Sequence, residues 1–359
     1  MARRALLVGI NDYRGIRDLK GCINDVGNMR HILKTYLGFS NNDIRVVVDS
    51  RADKQGILYR LEYMVKVAQP GDFMVFHFSG HGSQIRDRNG DELEDHLDEL
   101  LCPWDMDWED GFILDDDLDR IFKNIPEGAF LEVFLDCCHS GTATRGGDLF
   151  CGEEIGFESE PTGRFLPPPP DIAFRFEGET GALGPTRGFQ TLNRSGVRRS
   201  TASHILWSGC RADQTSADAY INGGYNGAFT YFFCKHMRET GGNITRRNLL
   251  TRVRDSLRYN GYLQTPQLES MDESAYENHP LQWVPPEEKR RYLYLTTPYM
   301  RGEDVRQVQS ALAGAGYAMG IDGVFGPHTR EVVKRYQREN GMTEDGIVGP
   351  SVYKSLLGD

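Results

Sequence analysis

At 359 residues and 39% hydrophobic content, the chain is long enough for two domains and apolar enough to bury sizeable cores, which excludes a disordered protein. Its 52 acidic and 41 basic residues leave a formal charge of −11, which disfavours nucleic acid and anionic membranes as partners and suits a cationic substrate. Seven cysteines occur without CxxC pairing or metal-ligand spacing, as expected of reduced thiols in a cytoplasm.

Met1-Ala2-Arg3-Arg4 precedes an apolar run, Ala5 to Ile10, that is too short for the core of a signal peptide and reads as a first strand. A helical pattern from Cys22 to Leu37, a strand from Asp43 to Val48 and a second helical pattern from Asp53 to Ala68 follow. The apolar run Phe73 to Phe78 then breaks into Ser79-Gly80-His81-Gly82. After a short strand at Glu99-Leu100-Leu101 and a helix near Asp115 to Phe122, the run Phe130 to Leu135 breaks into Asp136-Cys137-Cys138-His139-Ser140-Gly141. Strands alternating with helices predict an α/β fold, a three-layer αβα sandwich around a mostly parallel sheet. Sites in such sheets lie beyond the carboxyl ends of the strands, where both broken runs deliver their side chains.

From about Thr142 to Ala202 the pattern dissolves into Gly, Pro, Arg and acidic residues, including Pro167 to Pro170, so a functional or cleavable loop is expected. Order resumes at His204 to Ser208, with helical patterns at Ala228 to Arg238 and Arg246 to Leu257. Trp207 reads as a core residue. Pro285 to Arg290 forms a second linker before a small helical unit, where Asp322-Gly323-Val324-Phe325-Gly326 and Asp345-Gly346-Ile347-Val348-Gly349 repeat one turn. No run is long enough to span a membrane.

A histidine and a cysteine presented by separate strands can form a base and nucleophile pair. Adjacent strand residues point to opposite faces, so only one of Cys137 and Cys138 can meet His81, and the pattern alone leaves both open. His139, tethered directly after them, has poor geometry for the base and reads as structural. Backbone N–H groups at Gly82 and Cys138 are placed to form an oxyanion hole.

Leu7-Val8-Gly9-Ile10-Asn11 with Tyr13, Gly21-Cys22-Ile23-Asn24-Asp25, Ser79-Gly80-His81-Gly82 and Asp136-Cys137-Cys138-His139-Ser140-Gly141 together resemble the metacaspase family of caspase-like cysteine peptidases, in its bacterial type I or orthocaspase form. The resemblance covers roughly residues 4 to 270. It implies a peptidase domain over 1–275, divided into a large-subunit-like part (1–145), a linker (146–202) and a small-subunit-like part (203–275). It makes Cys138 the nucleophile, with Cys137 standing where serine is common. It also implies cleavage after Arg or Lys through a pocket of Cys22, Asp25, Ser79 and Asp136. The segments Ser208 to Gln214 and Gly227 to Thr230 resemble those flanking the substrate groove. A basic preference makes Arg145, Arg164, Arg187, Arg194, Arg198 and Arg199 candidate self-cleavage positions in the linker.

Fifteen acidic side chains lie between Asp87 and Asp119, with Arg88 the only Lys or Arg among them. The resemblance implies calcium ligation by Asp98, Asp115 and Asp116, yet the family's further aspartate position is Arg145 here; a solvated acidic face is the alternative. Asp87-Arg88-Asn89-Gly90-Asp91 starts like an EF-hand loop, but its glycine comes two residues too early.

Beyond a linker at 276–291, residues 292–359 resemble a peptidoglycan-binding-type helical domain through Gly302-Glu303-Asp304-Val305, Val308-Gln309, Leu312, Asp322-Gly323, Phe325-Gly326, Thr329, Tyr336-Gln337 and Asp345-Gly346. The expected partners are protein or peptide substrates with Arg or Lys at the cut bond, and a cell-wall glycan, peptide or protein for the C-terminal domain. A monomer is expected. The rival readings are a silent caspase-fold scaffold and a cell-wall-targeted binding protein.

Overall fold

β1 (Arg3–Gly9) lies inside a six-stranded sheet and pairs in parallel with β2 (Ile44–Val48) on one side and β3 (Phe73–Ser79) on the other. The computed structural model describes residues 2–86, 97–138, 161–172, 203–211, 214–270 and 291–358. Between β1 and β3 run α1 (Cys22–Tyr36) and α2 (Lys54–Lys66). α1 starts at Gly21, which has no capping side chain of its own; Asn11 Oδ1 instead accepts from the Cys22 and Ile23 amides at 2.8 and 3.3 Å. Asp53 caps α2 in the ordinary way, by accepting from the Gly56 amide.

β4 (Gly82–Arg86), β5 (Leu97–Leu101) and β6 (Ile113–Leu114) form a small antiparallel sheet that leads into α3 (Asp115–Phe122). β7 (Phe130–Asp136) then pairs in parallel with β3. β8 (Thr162–Gly163) leaves the main sheet, and β9 (Ser203–Ser208) returns to pair with β7. β10 (Ala217–Ile221) and β11 (Gly224–Gly227) form a hairpin whose open side takes β8. β12 (Gln267–Ser270) closes the main sheet antiparallel to β9, giving the order β12-β9-β7-β3-β1-β2.

Side-chain alternation divides the sheet between two cores. Leu6, Val8, Met74, Phe76, Phe78, Leu131 and Val133 join α2 and α3 on one face. Ala5, Leu7, Phe73, Val75, Phe134 and Trp207 join α1 and the helices Ala228–Glu239 and Arg246–Tyr259 on the other. All seven residues of β3 are buried, as a central parallel strand covered on both faces requires. Glu132 is the exception to the apolar pattern. Its buried carboxylate accepts from Arg246 Nε and Nη2 at 2.9 and 2.8 Å and from Trp207 Nε1 at 2.7 Å, so Trp207 is a core residue.

The expected three-layer α/β sandwich is therefore present, with element ends moved by a residue or two. Residues 161–172, inside the stretch where a functional or cleavable loop is expected, include β8 and the fully buried Arg164, because carboxylates and a strand edge elsewhere in the fold receive them.

The chain divides into Met1–Trp283 and Val284–Asp359. In the second unit the helices Glu303–Gly314, Pro327–Glu339 and Pro350–Leu357 bury Val305, Val308, Leu312, Phe325, Val333, Tyr336 and Val352. The repeated Asp-Gly turns are each held by a glutamine from the helix before them. Gln309 donates to Asp322 and the Val324 carbonyl and accepts from the Gly323 amide, while Gln337 does the same with Asp345, Ile347 and Gly346. Gly323 and Gly346 have φ of +72° and +75°, the left-handed region that favours glycine. Among the described residues, no helix is long and apolar enough to cross a membrane.

Candidate active site

β3 and β7 are adjacent and in register, with Ser79 opposite Asp136, so their ends release His81 and Cys138 at the same sheet edge. His81 is fixed on two sides. Its amide donates to Tyr13 Oη at 2.8 Å, and the Tyr13 ring lies 5.1 Å from the imidazole. Its Nε2 lies 2.8 Å from the Arg17 carbonyl oxygen. A carbonyl only accepts, so Nε2 carries the proton and Nδ1 is left with a lone pair. Among the described residues Nδ1 has no hydrogen-bond partner, as befits a base awaiting a proton. Burial pushes the imidazole down to about 4, against the pull of the Arg17 carbonyl, so it is neutral at physiological pH.

Cys137 and Cys138 separate as strand alternation requires. Cys137 is part of the core beneath the sheet, where burial pushes its thiol well up and leaves it an inert apolar group. Cys138 packs instead with Phe165 and Cys210 on the groove side, its sulfur meeting the Ser216 amide. None of the six described cysteines forms a disulfide with another described cysteine.

Beside this pair is a fully buried polar pocket occupied by the guanidinium of Arg164. Nη2 donates to Asp25 Oδ2 at 2.8 Å and Asp218 Oδ1 at 3.1 Å; Nη1 donates to Ser79 Oγ and the Asp136 carbonyl oxygen, each at 2.9 Å, and lies 3.2 Å from Asp136 Oδ1. The carboxylates are themselves held. Asp136 accepts from Ser216 Oγ, Thr230 Oγ1 and the Thr230 amide, and Asp25 from Ser79 Oγ and the Gly227 amide. Asp218 accepts from the Lys20 and Gly21 amides. Cys22 borders the pocket, its thiol pushed well up by burial. Burial likewise pushes Asp25 up to about 8, with Arg164 pulling the other way.

Gly227 closes the pocket. A Cβ there would fall 2.5 Å from Arg164 Nη1 and 2.7 Å from Asp25 Oδ2, so any side chain would displace the bound guanidinium.

The four pocket residues expected from sequence, Cys22, Asp25, Ser79 and Asp136, thus converge on one cationic group. Sequence reasoning missed Asp218 and Ser216, and named Arg164 only as a candidate cleavage position, not as the occupant of the pocket. Asp218 sits on a hairpin strand with no motif around it, although Asn222-Gly223, with φ of +52° and +86°, is a recognisable hairpin turn. Thr230 and Gly227 belong to a segment already singled out as flanking the groove.

Asp98 lies on β5, and Asp115 and Asp116 open α3. Among the described residues no three His, Cys, Asp or Glu side chains gather in a group that could hold a metal ion. Residues 87–96, His139, Arg145, Arg187, Arg194, Arg198 and Arg199 lie outside the described residues.

Residues 3–145 match the metacaspase peptidase C14 domain, and residues 301–356 match the peptidoglycan binding domain family. Metacaspase-1 of Meyerozyma guilliermondii is 35% identical over 290 residues, covering 75% of this chain and 69% of the relative. Metacaspase-1 of Sclerotinia sclerotiorum is 33% identical over 315 residues, covering 79% and 67%. A crystal structure of a Geobacter sulfurreducens protein shares the fold, with a TM-score of 0.57 at 22% identity over 79% of this chain and 99% of that one. With its histidine and cysteine at one sheet edge and this similarity along most of its length, the chain belongs to the metacaspase family of cysteine-type endopeptidases and carries a C-terminal peptidoglycan-binding domain.

Proposed function

We propose that the protein hydrolyses peptide bonds after arginine or lysine, with Cys138 as nucleophile and His81 as its base. The observation that carries this reading is the Arg164 guanidinium held among Asp25, Asp136 and Asp218 in a fully buried pocket. Burying a cation is costly unless it is paired and hydrogen-bonded, and this pocket supplies both. It engages both terminal guanidinium nitrogens from different sides, which favours arginine over the point charge of lysine.

In the reaction the Cys138 thiol loses its proton to His81 Nδ1 and the sulfur attacks the carbonyl carbon after the basic residue. The Gly82 amide supports the developing oxyanion. The imidazolium returns the proton to the leaving amine, and water hydrolyses the thioester. Tyr13 and the Arg17 carbonyl keep the ring in the required tautomer and orientation.

The test is hydrolysis of Arg-, Lys- and Asp-terminated reporter peptides by wild type, Cys138→Ala and Cys137→Ala. Arg reporters are expected to be cut fastest, with Cys138→Ala inactive and Cys137→Ala active. Preference for Asp, or activity that survives Cys138→Ala and is lost in Cys137→Ala, overturns the assignment. For the C-terminal unit the reading is delivery of the peptidase to a cell-wall glycan, measured by co-sedimentation of the full chain with insoluble peptidoglycan; a chain that stays in the supernatant refutes it.

A further inference from the structure

We propose that a cavity at the end of the sheet remote from His81 and Cys138 binds a nucleoside phosphate, its ring against Tyr59 and Tyr63 and its phosphate on Arg45 and Arg60.

β2, β1, β3 and β7 run parallel, and the reacting pair follows the carboxyl ends of β3 and β7. At the opposite end, where β1 and β2 begin, a cavity of about 440 Å³ lies between these strands and the C-terminal half of α2. That volume is in the range of small-molecule sites. Register explains its chemistry. Leu6 pairs with Arg45, and Val8 with Val47 one step further on, so Arg45 points to the same face as these core residues, the face covered by α2. Arg4 shares that face. The α2 side of the sheet is therefore apolar along its middle and basic where the strands start.

Arg3, Arg4, Arg45 and Arg60 line the cavity against a single acid, Asp43, in a chain whose formal charge is −11. Arg4 is neutralised by Asp72. Among the described residues Arg3, Arg45 and Arg60 form no ion pair, and Arg60 Nη1 donates instead to the Gly56 carbonyl at 2.6 Å. Asp43 Oδ2 accepts from the Ser40 amide at 2.7 Å. Three unpaired arginines against one acid leave an excess of two positive charges, which a phosphate dianion matches. Guanidinium forks suit phosphate oxygens, and an anion among them relieves the repulsion between like charges.

The aromatic lining narrows the ligand further. Tyr59 and Tyr63 stand one turn apart on α2, so they share a face, and they are 69% and 58% exposed. Inorganic phosphate would leave both rings in water, and an acidic peptide would bring charge without a flat ring to stack. A nucleoside phosphate brings both at the size of the cavity. The acidic balance of the whole chain repels a long polyanion, which favours a free nucleotide over a nucleic-acid strand.

The experiment is calorimetric titration of the full chain with adenosine diphosphate, adenosine, inorganic pyrophosphate and an oligoglutamate peptide, in wild-type, Arg45→Gln, Tyr63→Ala and Arg258→Gln forms. Arg45 and Tyr63 are exposed side chains, so their replacement spares the core, and circular dichroism checks that each form is folded. Arg258, an exposed arginine on the helix Arg246–Tyr259, controls for the lost charge alone.

Wild type is expected to bind one adenosine diphosphate per chain, more tightly than pyrophosphate or adenosine, and to melt at a higher temperature when it is bound. Arg45→Gln and Tyr63→Ala are each expected to weaken this binding by about tenfold, through a lost charge-assisted hydrogen bond and a lost stacking face. Pyrophosphate binding should respond to Arg45→Gln and not to Tyr63→Ala, and Arg258→Gln should bind as wild type does. No saturable binding at millimolar diphosphate, or an Arg45→Gln form no weaker than Arg258→Gln, overturns the site. Pyrophosphate bound as tightly as the nucleotide, indifference to Tyr63→Ala, or tighter binding of oligoglutamate overturns the ligand assignment.

Discussion

Asp25→Asn separates recognition of the guanidinium from the chemistry at Cys138. The carboxyl is fully buried and lies 2.8 Å from Arg164 Nη2, a charge-assisted hydrogen bond worth about 1.5–3 kcal/mol when the acid is ionised. At about 1.36 kcal/mol per decade, its loss lowers kcat/KM on Arg reporters about 10- to 150-fold. The 3–5 kcal/mol typical of breaking a buried pair is not expected, because Asp136 and Asp218 still face the cation.

The sign with pH follows from burial, which raises Asp25 to about 8. Below that value the carboxyl carries a proton and asparagine is a close substitute. Above it, wild type gains a charge that the variant cannot. Arg164 already pulls that value down, so with the pocket empty the carboxyl titrates higher still; the penalty should be a few-fold at and below pH 8 and grow as the pH rises beyond it, with kcat/KM on Arg reporters rising over the same range. The assay is the ratio of kcat/KM for Arg- and Leu-terminated reporters across this range, in an Arg164→Gln background so that the chain's own arginine does not compete. A ratio unchanged by the substitution, a penalty that does not vary with pH, or equal losses on both reporters would refute the reasoning.

Gly227→Ala should abolish Arg hydrolysis while the chain stays folded, measured by reporter turnover and thermal melting; an active variant would mean that the pocket wall yields to a Cβ. His81→Gln is expected to lower kcat by about 10²- to 10⁴-fold, and a residual rate near wild type would exclude His81 as the base. Arg246→Met leaves Glu132 without its guanidinium and should cost about 3–5 kcal/mol of stability. An unchanged melting temperature would mean that the pair contributes nothing. Gln309→Leu should strip the Gly323 turn of its partners and destabilise the C-terminal unit by about 1–3 kcal/mol, read by proteolysis of the full chain.

Much of the fold was legible because buried parallel strands have a local signature. The runs at Phe73 and Phe130 are apolar along their whole length, and each ends in small residues where the chain leaves the sheet. The helix Asp115–Phe122 and the paired Asp-Gly turns were readable for the same reason, since period and turn chemistry act within a few residues. The β10–β11 hairpin and the helix Pro350–Leu357 were not singled out, although Asn222-Gly223 carried a signal for the first.

His81 and Cys138 were nameable from sequence because each ends its own strand, and alternation alone guaranteed that Cys137 and Cys138 would face apart. Asp218 was not, and Arg164 was nameable only as a cleavage candidate, because what seats its guanidinium among Asp25, Asp136 and Asp218 is contact across 139, 28 and 54 positions of chain. An arginine among prolines and glycines reads as exposed until three carboxylates from other elements are brought around it. Local pattern determined the strands, their edge and the reacting pair. Only the tertiary structure decided what fills the pocket, because the neutralisation that permits a buried guanidinium exists only once the distant carboxylates have been assembled.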